Sequence, residues 1–251
     1  MKALIDADSI IYKYASINQD VIEWEPDVTS VFFNIRDAKI GISRHIDEIL
    51  ENTGCTEALL VLSPSTNFRY NVLPTYKWNR KKSVHPLEML MPLKRWMYAT
   101  FNVHVPCYVE ADDFCVWLTM FEPTKWVICH IDKDLDQAPG KHYNYSKKKN
   151  YYISEQEAEY KFYEQVLVGD TSDGYKGCPN IGKVRCARIL DPDSAHLGEQ
   201  RTTWELIVDT YVSKGLTHED ALQQARVARM LTPNEWDGED NIELWSPIDG
   251  D

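Results

Sequence analysis

Residues 125–137 read KWVICHIDKDLDQ, an apolar run broken only by Lys125 and His130 that gives way to Asp132, Asp134 and Asp136. A run without polar alternation suits a strand buried on both faces, and such strands belong to parallel sheets sandwiched by helices. KALID (2–6), ending at Asp6, and EALLVL (57–62) are of the same kind. Between them Val31, Ile35, Ala38, Ile42, Ile46, Ile49 and Leu50 recur at helical spacing. That spacing predicts a helix from an N-cap at Ser30 to a stop near Gly54, with a loop over 17–28 before it. A helix to about Thr100, a short strand at Val103–Val105 and a helix over 111–121 follow. Strands alternating with helices predict an α/β domain with a mostly parallel sheet.

Two stretches depart from this rhythm. Residues 64–92 hold four prolines, several aromatics and the basic run YKWNRKK, which predicts an excursion from the core. After Tyr152 the pattern becomes helical: Ser154 with Glu157 makes a capping box opening a helix to about Val168. The turn GDTSDGYKGCPNIGKVRCARIL (169–190) feeds another helix, and helical segments near 201–213 and 217–231 precede Pro233. The expected organisation is an α/β part over 1–153 and a helical part over 154–251.

The 251 residues are 43% apolar, before 11 glycines are counted, which excludes a wholly disordered or low-complexity chain. No run approaches the ~18 apolar residues of a membrane span, and Asp6 and Asp8 interrupt any export signal, so no membrane partner is expected. Six cysteines without paired spacing read as reduced thiols of a cytoplasmic protein, neither a zinc site nor a disulfide framework. A net charge of −12 argues against a polyanionic partner, but the distribution of charge outweighs its sum.

Ten acids fall in four clusters: Asp6 and Asp8; Glu110, Asp112 and Asp113; Asp132, Asp134 and Asp136; Asp170 and Asp173. Ligands of open parallel sheets bind beyond the carboxyl ends of the strands, where these acids accumulate. Any one cluster alone is more often a cap or a solvated turn than a ligand set. Gathered together, they repel by several kcal/mol per close pair at an effective dielectric of ~20. An all-carboxylate donor set calls for hard dications, Mg²⁺ or Mn²⁺, and two such ions are the recurring apparatus of displacement at phosphorus.

LIDAD (4–8), EADD (110–113), IDKDLDQ (131–137) and the 169–190 turn occur in an order and spacing that resemble the 5′-nuclease superfamily of flap endonucleases and 5′-to-3′ exonucleases. NFRYNVLPTYKWNRKK (67–82) resembles that family's arch signature, and ARML (228–231), Trp236 and IELW (242–245) look most like the phage exonucleases. The resemblance implies a PIN-like nuclease core with a short arch insertion about 64–92 and a helix-hairpin-helix turn about 169–190. It implies Asp6, Glu110 and Asp112 around a first Mg²⁺ or Mn²⁺. Asp113, Asp132, Asp134, Asp170 and Asp173 would serve a second ion or the shared hydration shell. Lys77 and Arg80 would stabilise charge at the scissile phosphate, Tyr76 would stack on the terminal base, and Arg69, Lys81 and Lys82 would contact phosphates. Gly182, Lys183 and Arg185 would grip duplex at the hairpin, whose carbonyls would hold a K⁺. An acid usual at the end of the second strand is missing from VLSPSTNFR (61–69), and Asp8 is the candidate to compensate. Asp136 reads as a cap of its turn.

The implied activity is metal-dependent 5′-to-3′ hydrolysis near the 5′ ends of duplex DNA, with an RNA–DNA hybrid as a further substrate. Two other readings are a structure-specific flap endonuclease and a nuclease-dead protein that binds DNA junctions.

Overall fold

The computed structural model describes residues 1–26, 28–80, 86–191 and 202–247. Strand β1 (Lys2–Asp6) runs into helix α1 (Asp8–Ile17). A two-stranded antiparallel hairpin follows, β2 (Gln19–Glu25) and β3 (Val28–Phe33), then helix α2 (Ile35–Thr53) and strand β4 (Ala58–Val61). The short helix α3 (Arg69–Val72), helix α4 (Leu90–Thr100), strand β5 (Val103–His104), helix α5 (Ala111–Phe121) and strand β6 (Trp126–His130) come next. A 3₁₀ turn at Lys133–Gln137 leads to β7 (Gly140–Asn144) and β8 (Lys149–Ile153). Helices α6 (Glu155–Val168), α7 (Lys183–Ile189), α8 (Thr203–Val212) and α9 (His218–Ala228) complete the described elements.

The main sheet has the order β5-β4-β1-β6-β7-β8, parallel throughout except for β8, which returns antiparallel along β7. Both faces are covered, which explains the unbroken apolar runs. Ala3 and Ile5 of β1 face a core with Ile10, Ile42, Ile46, Leu93 and Met97, while Leu4 faces Phe114, Val116, Ile128 and Trp236. A third apolar cluster, including Phe162, Val166, Ile207 and Ala225, joins helices α6 to α9. Because β4 and β6 flank β1, the chain reverses its direction of travel across the sheet there, and a crevice opens at their carboxyl ends.

Two expectations need correction. Residues 19–25 and 28–33 pair as antiparallel strands, where a loop and a first helical turn were expected. Val21, Ile22, Trp24, Val31, Phe32 and Phe33 are β-branched or aromatic and favour the pleated conformation. The helix instead begins at Ile35, capped by Asn34, whose Oδ1 accepts the Asp37 N–H at 3.1 Å. Strands β7 and β8, which no motif announced, extend the sheet edge beside β6.

Candidate metal centre

The crevice collects carboxylates from four separate segments. Strand β1 delivers Asp6 at its end. Helix α1 starts two residues later, so Asp8 arrives from a first helical turn and not from a continued strand. Its Oδ2 accepts the Ser63 N–H at 2.9 Å, and Ser63 Oγ accepts the Ala111 N–H at 3.0 Å. The acid-less end of β4 is thereby tied to both neighbouring clusters. Glu110 is the N-cap of α5 and Asp112 lies in its first turn; Asp132 follows β6; Asp173 lies in the turn after α6. These six acids line one open cleft together with Lys77 and Arg80.

Charge within the cleft is unevenly compensated. Lys77 pairs with Glu110 and lies 3.7 Å from Asp173, while Arg80 Nη2 is 2.7 Å from Asp173 Oδ1. Against the burial that would raise it, Arg69 and Lys77 hold the Glu110 carboxyl below its ordinary range. The opposite happens a few ångströms away. Burial, then the charges of Asp8 and Asp132, push Asp6 up to about 7. Burial, then Asp6, Asp132 and Glu110, push Asp112 well above the usual carboxylate range. These carboxyls offer only oxygen donors and raise one another's pKa, a combination that a hard dication relieves. The residues present therefore fit Mg²⁺ or Mn²⁺.

Asp134 and Asp170 sit beside the cleft without lining it. The Asp134 carboxylate accepts from Gln165 Nε2, and burial with the charges of Asp132, Asp170 and Asp173 pushes it up to about 7. Asp170 Oδ2 pairs with Lys133 at 2.7 Å, and its Oδ1 accepts the Ser172 N–H at 2.7 Å. Lys133 and Ser172, opposing the effect of burial, hold its pKa down. Lys133 was missed: one lysine among three acids in IDKDLDQ reads as surface charge, and only folding reveals its pairing with Asp170.

Three expected site residues are instead internal. Asp113 is fully buried and does not line the cleft. It binds Arg69 through both oxygens at 2.6 and 2.7 Å, accepts the Glu110 N–H at 3.1 Å and accepts the Leu231 N–H at 3.2 Å. It is a structural cap, not a metal ligand. Arg69, also fully buried, donates further to the carbonyls of Val227 and Arg229, so it is unavailable to a phosphate. Tyr76 is buried too, its hydroxyl 2.7 Å from Glu110 Oε2 and 2.9 Å from Asp173 Oδ2, so its ring cannot receive a base. The signal that misled is physical: a buried cation or phenol that organises acids has the same composition as an exposed one that meets phosphate.

Asp136 does not cap its turn; Asp132 does, accepting the Asp134 N–H at 3.0 Å, while Asp136 accepts from the Tyr151 hydroxyl at 2.8 Å. Gly182 caps α7 and is exposed, as are Lys183 and Arg185. Lys81 and Lys82 lie outside the described residues. Up to Arg80 the segment after α3 leans on the 170–174 turn: the Lys77 N–H donates to Asp173 O at 2.8 Å, and Asn79 donates to Thr171 O.

No family model matches the chain. Over 225 residues the chain is 25% identical to the exodeoxyribonuclease of enterobacteria phage T3, covering 75% of this chain and 73% of that protein. Over 223 residues it is 27% identical to the exonuclease of Escherichia phage T7, with the same coverage. The fold matches the bacteriophage T5 flap endonuclease, solved in a complex with DNA and metal ions, with a TM-score of 0.66 at 14% identity, covering 90% of this chain and 88% of that one. A zinc-bound T5 5′-exonuclease matches with a TM-score of 0.61 at 16% identity, over 91% and 93% of the two chains. The catalytic core of Rad2 with DNA substrate matches with a TM-score of 0.52 at 13% identity, over 86% and 73%. Among the described residues no helix is long and apolar enough to cross a membrane.

Proposed function

We infer that this chain belongs to the 5′-nuclease superfamily and hydrolyses phosphodiester bonds near the 5′ ends of duplex DNA, proceeding 5′ to 3′. The observation that carries this reading is the convergence of Asp6, Asp8, Glu110, Asp112, Asp132 and Asp173 on one cleft whose rim holds Lys77 and Arg80. Asp6, Asp8, Glu110, Asp112, Asp132 and Asp173 would hold divalent ions, which would supply Lewis acidity for activating a water and offsetting charge on the phosphate. Glu110 and Asp173 hold Lys77 and Arg80 at the cleft, ready to exchange a carboxylate partner for a phosphate oxygen. Tyr76, whose burial and neighbouring acids raise its pKa, stays neutral and donates to the carboxylates that fix those cations. Away from the cleft, exposed Lys183 and Arg185 supply phosphate contacts along the duplex, and the hairpin turn would be where a K⁺ is held. Backbone recognition of this kind admits an RNA strand paired with DNA.

The test is digestion of 5′-labelled blunt, nicked and flapped duplexes, and of an RNA–DNA hybrid, with Mg²⁺ and with EDTA. Short labelled products released from every recessed or blunt 5′ end support the reading. Cleavage confined to a flap junction favours a flap endonuclease, the second reading supported by the fold shared with the T5 enzyme. Binding of junctions without cleavage under any metal overturns both.

A further inference from the structure

Behind the carboxylate cleft, on the far side of the 3₁₀ turn, two imidazoles meet in the interior. His130 ends β6 and His142 lies in β7, both almost completely buried. His130 Nδ1 contacts the carbonyl of Asp132, His130 Nε2 lies 3.0 Å from His142 Nδ1, and His142 Nε2 lies 2.8 Å from the carbonyl of Ala138. These are three contacts in a row, each needing one proton, and two neutral imidazoles carry two. The carbonyls cannot donate, so each takes an N–H, and two ring lone pairs are left facing each other. The Tyr151 hydroxyl, 2.8 Å from Asp136 Oδ1 and 3.0 Å from His130 Nε2, carries its proton to one of those acceptors and not into the gap between the rings. A positive centre belongs in that gap. A third proton would place an imidazolium in the interior, which is costly to desolvate.

We propose that His130, His142 and Asp136 form a binding site for a borderline transition-metal dication, Zn²⁺ by its chemistry, separate from the oxygen-only cleft. One ligand atom from each residue lies within 4.8 Å of the others. Two imidazoles and a carboxylate are a donor set that Zn²⁺ accepts and Mg²⁺ does not seek. Tetrahedral Zn–N bonds of ~2.0–2.1 Å place two nitrogens about 3.3 Å apart, so the rings need to separate by a few tenths of an ångström. The remaining N–H of each imidazole is already held by a backbone carbonyl, which is how metal-bound histidines are oriented. Asp136 and Tyr151 are half-buried and leave an approach from solvent, with the Tyr151 oxygen or a water as fourth ligand. The carbonyls gripping the rings belong to Asp132 and Ala138, the two residues that flank the turn bearing Asp134. A dication here would clamp that turn from behind. The site stands on its own residues and does not depend on the nuclease reading.

The full chain, stripped with a chelator and returned to excess Mg²⁺ to fill the carboxylate cleft, is titrated with Co²⁺. The expected result is one equivalent bound with the visible absorption of tetrahedral cobalt on nitrogen, displaced by Zn²⁺. His142→Ala should abolish that band, Asp136→Asn should weaken binding by at least about tenfold, and Asp112→Asn should preserve it. If His142→Ala fails to fold by circular dichroism, the half-buried Asp136→Asn decides: unchanged affinity overturns the proposal. A folded wild-type chain without the band overturns it, as does a band lost in Asp112→Asn and kept in His142→Ala.

Discussion

Arg69 and Asp113 show what one ion pair does inside this molecule. Both are fully buried, and the fork of the guanidinium matches both carboxylate oxygens. Arg69→Met should strand the Asp113 charge in the interior and cost roughly 3–5 kcal/mol in urea unfolding, with Arg69→Met/Asp113→Asn, which removes the charge and keeps an acceptor for the backbone N–H groups, recovering part of it. The cleft acids obey the reverse logic. Asp112 is held above the usual carboxylate range by burial and by Asp6, Asp132 and Glu110. Asp112→Asn should therefore abolish Mg²⁺-dependent cleavage while stabilising the metal-free protein by on the order of 1 kcal/mol at pH 8. A paired activity assay and thermal melt in EDTA check this, and a melt that falls would contradict the repulsion described here.

At the scale of elements, the turn between α6 and α7 is drawn tight by two glycines. Gly169 and Gly177 both have positive φ, and a Cβ on Gly177 would lie 2.4 Å from the Gly169 nitrogen and 2.6 Å from the Val168 carbonyl carbon. No side chain can be accommodated where backbone meets backbone. Gly177→Ala should loosen the turn that carries Asp170 and Asp173, costing roughly 2–3 kcal/mol in denaturant unfolding and lowering cleavage. Gly215→Ala, whose Cβ would meet nothing within 4 Å, isolates the smaller cost of positive φ alone. The β2–β3 hairpin shows the limits of periodicity. Val31 keeps helical spacing with Ile35 and Ala38 yet pairs with Val21 across the hairpin, because Asn34 caps the helix four residues later than Ser30 would. A periodic pattern locates the buried face of an element better than its first residue.

For the whole molecule, the raised acids link stability to pH. Asp6 and Asp134 stay protonated in the fold up to about 7, while in the unfolded chain they ionise near 3.8. Between those values the folded state holds more protons, so stability is fullest below about pH 4 on this account and falls as pH rises to 7. Each pH unit in that window costs on the order of 1 kcal/mol per such carboxylate. Thermal melts in EDTA should show this group's contribution declining from pH 5 to 7 and levelling above it, and Mg²⁺ should raise the melting temperature more at pH 8 than at pH 6. An Mg²⁺ effect independent of pH would refute the linkage. The sequence by itself determined the α/β architecture, since unbroken apolar runs such as KALID and KWVICHI have no stable home but a sheet covered on both faces. It also marked the acid clusters, because strand ends and helix starts are local features. Tertiary structure alone decided which acids share a cleft, that Asp113, Arg69 and Tyr76 turn inward, and that His130 meets His142. Those outcomes depend on the register of β1 against β4 and β6 and on which face of α5 is covered. Charge, burial and partner are properties of the space around a residue, and that space is assembled from segments far apart in the chain.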